Sequence, residues 1–203
     1  MSVHLPTTPV PIFPLPGAFL FPHQVLPLHV FEPRYRQMVR DLLDGPGRLV
    51  IGTQLQGEHE TPEHAPAVLP VAGLGEIMRH EALPDGRFQL WVLGLARVRI
   101  RELPSDRPYR QVVCEPFLEI DAAGDEADEL ARALHAATSR RLREPLPLPL
   151  SAPPGLLADL LVQTLGAGQP LLERAFAEPS VSARARLVLR AAADRDAPEE
   201  PTR

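Results

Sequence analysis

Apolar residues in the first 120 positions fall in short runs broken by proline, glycine and aspartate, a pattern of several short strands rather than long helices. The clearest runs are Arg87–Leu93 and Arg97–Leu103. The turn Leu83-Pro84-Asp85-Gly86 links them to a preceding run at Gly75–Ala82, so a three-stranded meander is expected. In the third run Val98 and Ile100 alternate with Arg97, Arg99 and Arg101. Strand side chains point to opposite faces in turn, which assigns the aliphatics to a core and the arginines to the other side. Further strands are expected at Val10–Phe13, Val25–Val30, Arg48–Thr53 and Gln111–Ile120, and several short strands spaced by turns suggest a small barrel. One helix interrupts them. Pro33 suits a first helical position, Tyr35, Met38, Val39, Leu42 and Leu43 recur at helical spacing, and Asp44-Gly45-Pro46-Gly47 ends the run.

From Asp125 the period changes. Leu130, Ala133, Leu134, Ala137 and Leu142 share a helical face up to Glu144-Pro145, where proline breaks the run. The alternating Pro145–Leu150 stretch is expected to be extended. Helices are expected again near Pro154–Leu165, Pro170–Phe176 and Ser182–Ala193, with Ser180 or Ser182 available as N-cap. The expected organisation is a β subdomain over 8–120, a helical subdomain over 121–195 and a loose acidic, proline-rich tail over 196–203.

Composition narrows the chemistry. With 44% hydrophobic residues among 203, a sizeable core is available. No apolar run approaches the roughly 18 residues that a membrane-crossing helix needs, and Met1–Pro14 lacks the basic start and unbroken apolar stretch of a signal peptide, so a cytoplasmic location is expected. The net charge is −5 and acids outnumber arginines in both halves, which argues against nucleic acid as the partner. All 21 basic residues are arginine. Without lysine there is no Walker A loop, no Schiff base and no serine-lysine dyad.

Several clusters invite a site, and each has a plainer reading. His59, His64 and His80 lie near Glu58, Glu60 and Glu63 but lack the spacing of a zinc site, so the segment at 56–66 reads as an acidic loop adaptable to contact, and no metal or other cofactor is expected. Ser105-Asp106 and Ser139 sit in no nucleophile elbow. Cys114, the single cysteine, falls inside an expected strand as a buried thiol. Glu32-Pro33-Arg34-Tyr35 brings a carboxylate, a guanidinium and a phenol together at a helix start, where an anchoring turn explains them. The Arg97, Arg99 and Arg101 stripe is a candidate anion contact, with Glu76, Glu81 or Glu102 available to neutralise it. Phe19, Leu20 and Phe21 sit in a proline-bounded loop; each alone suits a core, but two of them exposed together would form an apolar patch for a disordered chain, making them the candidate polypeptide contacts.

The segment Pro11-Ile12-Phe13-Pro14-Leu15-Pro16-Gly17, continuing through Phe21-Pro22 and Leu26 to Tyr35, resembles the opening of the Lon substrate-binding domain. Gly75-Glu76-Ile77, Asp85-Gly86-Arg87, Gly94 to Ile100 and Pro108-Tyr109 fit the same pattern, and the resemblance spans residues 8 to 195. It implies an α+β fold, a PUA-like small β-barrel with one helix followed by a C-terminal α-helical bundle. It also implies non-catalytic recognition of unfolded or partly folded polypeptide, with a protease or chaperone as a further partner. Complete Lon proteases continue into ATPase and serine-lysine protease modules, for which this sequence offers no lysine, so no catalytic residue and no enzyme activity is expected. PUA-like barrels that recognise RNA make RNA binding the alternative, and peptidase activity is the weakest of the three.

Overall fold

The computed structural model describes residues 4–55, 57, 66–142, 147–149 and 151–196. The chain divides into two compact units, 1–117 and 118–203.

The first unit carries β1 (Val10–Pro16), β2 (Val25–Val30), α1 (Pro33–Leu43), β3 (Arg48–Gln54), β4 (Val71–Ala82), β5 (Phe88–Leu103) and β6 (Gln111–Pro116). They form one six-stranded sheet in the order β2-β5-β4-β3-β1-β6. Because β6 also pairs with β5, from Val98↔Pro116 to Leu103↔Gln111, the pairings run round through β5, β4, β3, β1 and β6 and leave β2 outside that circuit. β1 and β3 are parallel, and the connection between them contains β2 and α1.

Two apolar clusters fill this unit. Val10 and Ile12 of β1 meet Val50, Leu74, Val98 and Val112 in one; Phe13, Leu49 and Ile51 meet Val30, Leu90 and Val92 in the other. β1 and β3 are thus buried on both faces, which is why Val10–Leu15 in β1 and Leu49–Ile51 in β3 run continuously apolar instead of alternating. The helix α1 lays Tyr35, Met38, Val39 and Leu42 onto the second cluster, as its spacing requires.

The expected meander is instead one long hairpin. Arg87–Leu93 and Arg97–Leu103 are not separate strands: β5 runs unbroken from Phe88 to Leu103 against β4. Gly94 looks like a chain break in sequence but lies inside the strand, where a Cβ would collide with the carbonyl of Phe21. The register shift at Leu74/Gly75 takes up Leu95 in the gap between the two expected runs, and a second shift at Ile77/Arg79 takes up Met78 on β4. β6 ends at Pro116, short of the expected Ile120.

The second unit holds α2 (Gly124–Ser139), α3 (Pro154–Thr164), α4 (Gln169–Ala177) and α5 (Val181–Asp196). Leu134, Leu157, Leu161, Phe176 and Val188 are each no more than 1% exposed and form its interior. α2 stops before Leu142, in a turn where Arg141 and Leu142 donate to the carbonyl of Thr138. Ser180 accepts the Ala183 N–H at 3.2 Å as the cap of α5. Arg184, fully buried, ties the unit together. Its Nε lies 3.1 Å from Asp159 of α3, and its Nη1 donates to Glu119 at 2.9 Å and to the Glu178 carbonyl at 3.0 Å. A buried charge of this kind stands only with its partners present; removing one costs about 3–5 kcal/mol.

Candidate functional site

The strand β2 pairs with β5 alone, from Val25↔Leu93 to Val30↔Phe88, and among the described residues nothing pairs with its other edge. Gly94 donates to the Gln24 carbonyl at 2.8 Å, which sets the alternation: Leu26, Leu28 and Val30 turn their backbone groups toward β5, and Val25, Pro27 and His29 turn theirs to the open edge. Proline suits this position because its missing N–H leaves no gap in the ladder. The edge therefore offers N–H groups at Val25 and His29 and carbonyls at all three residues.

The same alternation builds a surface. Leu26, Leu28 and Val30 face the core, and Val25, Pro27 and His29 face outward. Across the sheet, Val25 aligns with Leu93 and Glu76, Pro27 with Trp91 and Arg79, and His29 with Gln89 and Glu81. Trp91 stands at the centre with the Arg79 guanidinium 4.7 Å from its ring centroid. Phe31 follows on the same side of the chain, stacked on His29 at 6.3 Å and 59% exposed; Met78, the extra residue at the β4 register shift, is equally exposed. The surface sets apolar and aromatic side chains, Val25, Pro27, Trp91, Phe31 and Met78, beside the polar His29, Gln89 and Glu81, with one cation over its indole.

The three loop residues expected to make such a contact are elsewhere. Phe19, Leu20 and Phe21 are 6%, 0% and 1% exposed, so the apolar patch expected of them does not form in this structure. The reason lies across the sheet. A Cβ at Gly73 would strike the Leu20 carbonyl and one at Gly75 would lie 2.7 Å from the Leu20 side chain, so the glycines of β4 and β5 form a bed into which the loop sinks. Thr53 Oγ1 donates to the Ala18 carbonyl at 2.5 Å and His23 N–H to the Gly94 carbonyl at 2.8 Å, fixing both ends.

The arginine stripe is likewise divided. Arg97 is 5% exposed, with its guanidinium 6.0 Å from the rings of both Phe21 and Phe117, so it is a structural cation and not part of an exposed anion contact. Arg99 lies over Phe117 at 5.7 Å, and Arg101 is 3.8 Å from Glu115; both remain exposed. Of the acids expected to neutralise the stripe, Glu76 holds Arg48 at 3.1 Å and Glu102 holds Arg110 at 2.5 Å.

At the start of α1, Glu32 accepts from Arg34 at 2.8 Å, the Arg34 guanidinium lies 4.5 Å from the Tyr35 ring, and Tyr35 packs on Phe13 at 4.3 Å. That is the geometry of an anchoring turn. Nearby, Tyr109 donates to Asp41 at 2.6 Å, alongside Arg107 at 2.8 Å and Gln37 at 2.7 Å. Burial and the Asp41 carboxylate push the Tyr109 phenol up to about 12. The Tyr109 hydrogen bond in turn holds the Asp41 carboxyl below its ordinary range, against the opposing effect of burial. Cys114 is 8% exposed and burial pushes its thiol up to about 11, which favours the protonated thiol near neutral pH. His59, His64 and most of the 56–66 segment lie outside the described residues; His80 is exposed on β4, and among the described residues no group of acids, histidines and cysteine is arranged to hold a metal ion. No helix among them is long and apolar enough to cross a membrane.

Trp91, Pro27 and His29 were missed as site candidates in the sequence, although Trp91 is the single tryptophan and the strand alternation that buries Phe88, Leu90 and Val92 places it on the opposite face. The sequence signal that β2 ends the sheet is Pro27, because proline inside a strand is tolerated at an edge.

The family model for the ATP-dependent protease La (LON) substrate-binding domain matches residues 9–193. The chain belongs to that family. Among curated relatives, Lon protease 2 of Sorangium cellulosum is 31% identical over 200 residues, which cover 89% of this chain and 24% of that protein. The Lon protease of Roseiflexus castenholzii is 30% identical over 185 residues, 81% of this chain and 22% of its own length. The chain thus spans about a quarter of the length of these proteases. The N-terminal domain of the Mycobacterium avium complex Lon protease shares the fold at a TM-score of 0.67 and 15% identity, covering 92% of this chain and 99% of that one. The Lon N-terminal domain protein of Xanthomonas campestris does so at 0.65 and 23%, covering 90% and 98%. The Lon-type fold is accordingly a mixed α+β architecture with one six-stranded sheet followed by helices.

Proposed function

We propose that this LON-family domain is a non-catalytic recognition module for unfolded or partly folded polypeptide, which it holds in extended form and presents to a protease or chaperone. One observation carries the reading: among the described residues, an unpaired edge of β2 lies directly beside a face centred on Trp91, with Val25, Pro27, Phe31 and Met78 exposed around it. An extended segment laid along β2 would pair with the N–H and carbonyl groups of Val25 and His29 and reach the Trp91 and Pro27 surface with alternate side chains. Such contacts depend on backbone and on apolar side chains in general, so they suit many clients. Pro27 withholds the middle donor, which keeps the edge from pairing indiscriminately with other sheets. Family membership supports a substrate-binding role, and the edge geometry supports polypeptide as that substrate.

Trp91 is the only indole in the chain and reports directly on its own surface. Titration with a permanently unfolded, alkylated polypeptide is expected to shift its emission saturably, and anisotropy of the labelled polypeptide is expected to show binding that Trp91→Thr largely abolishes. Absence of saturable binding, or full affinity in a folded Trp91→Thr protein, would overturn the proposal.

A further inference from the structure

In the helical unit, α4 and α5 border a groove of about 550 Å³ whose lining is dominated by Arg174, Arg186 and Arg190. Its α5 side presents Ala183, Arg186, Leu187 and Arg190, spaced as one helical stripe; Val181, Arg184, Ala185 and Val188 on the other side of the helix are buried. Leu187 and two alanines give the groove an apolar floor. The single acid in the lining, Glu178, is already committed, since its Oε1 accepts the Ser180 N–H at 2.8 Å beside the start of α5. Arg186 reaches Glu126 of α2 at 2.7 Å, in an ion pair exposed on both sides. Among the described residues Arg174 and Arg190 meet no carboxylate.

Acids outnumber arginines in 118–203, so a groove walled by three guanidinium groups is a local reversal of the unit's charge. Guanidinium groups bind carboxylates in a planar, bidentate manner, and the leucine between them would receive an aliphatic side chain. We infer that the α4–α5 groove docks an acidic polypeptide segment, one whose carboxylates flank an aliphatic residue. Nucleic acid fits less well: no aromatic side chain lines the groove to stack on a base, and the net charge of −5 repels a long polyanion. The groove lies in the helical unit and its occupant has different chemistry from an apolar client, so this inference stands independently of the one made for β2 and Trp91.

The test uses the full chain and two labelled twelve-residue peptides, one of Glu-Glu-Leu repeats and one of Gln-Gln-Leu repeats. Anisotropy at low salt is expected to show saturable binding of the glutamate peptide, at least tenfold weaker binding of the glutamine peptide, and weakening of the first by added salt. The double variant Arg174→Gln, Arg190→Gln is expected to lose tenfold or more in affinity while melting like the parent, because both side chains are exposed. Equal binding of the two peptides, undiminished affinity in the double variant, or no binding at all would overturn the inference. So would an oligouridylate that binds through these arginines where the glutamate peptide does not.

Discussion

The β unit contains two arginine–aromatic arrangements of similar chemistry and opposite exposure. Arg97 on β5 lies beside Phe21 and Phe117, closed in beneath the loop that crosses Gly73, Gly75 and Gly94. Arg79 on β4 lies over Trp91 on the outer face, where the neighbouring β2 leaves its edge open. The buried group has its energy already spent on holding the loop to the sheet. The open one leaves its cation exposed. A cation beside an aromatic ring therefore identifies no binding surface by itself; the cover over it decides.

The widest separation between the two should come from truncating each aromatic. Phe21→Ala is expected to cost about 3–5 kcal/mol of stability, because a fully buried ring leaves a cavity under a pinned loop. Urea denaturation checks this, and a loss below 1 kcal/mol would remove the distinction. Trp91→Thr should do the reverse, costing about 1 kcal/mol of stability or less and about 2 kcal/mol of polypeptide affinity, as expected of a central aromatic contact. The two measurements on the same preparation are denaturation and anisotropy titration.

A third variant locates pH sensitivity on the buried side. Tyr109→Phe removes the hydrogen bond to Asp41 and should cost about 1–2 kcal/mol near neutral pH. Asp41 has a folded pKa below its unfolded value, so its contribution is present above the ordinary carboxylate range and is lost as pH falls through the folded pKa. The difference between parent and variant should therefore shrink in acid. Tyr109 has the opposite sign: its folded pKa of about 12 exceeds the ordinary 10.0, so its contribution is complete below pH 10 and declines between about 10 and 12. Denaturation midpoints across pH test both limbs. The smallest effect belongs to Arg79→Gln, which removes an exposed cation from Trp91 and should change polypeptide affinity by about 0.5–1 kcal/mol with stability unaltered.

Much of the fold was legible because local rules coincide with it. The helical spacing from Tyr35 to Leu42 and the proline at the start of α1 depend on neighbours in sequence and appear in the structure where expected, and of the two serines available to cap α5 the structure uses Ser180. Gly94 was misleading for the same reason: read locally it divides a strand, and only the Phe21 carbonyl arriving from a distant loop explains a glycine inside one. Phe19, Leu20 and Phe21 posed a choice between core and patch that no local rule resolves, and the glycine bed settles it for the core. Arg184 was unremarkable in sequence, one arginine in a helix rich in them, yet it is fully buried, because Asp159, Glu119 and the Glu178 carbonyl converge on it from elsewhere in the chain.

By itself the sequence determined where most of the strands and helices lie and that they form an α+β chain of the LON substrate-binding family. Each of these follows from periodicity, composition or a motif, all properties of the chain as a string. Only the tertiary structure decided which apolar residues remain in contact with solvent and which arginines stay exposed. Exposure depends on what packs above a residue, and for Trp91 and Phe21 that is set by strand order and by glycines far away in sequence.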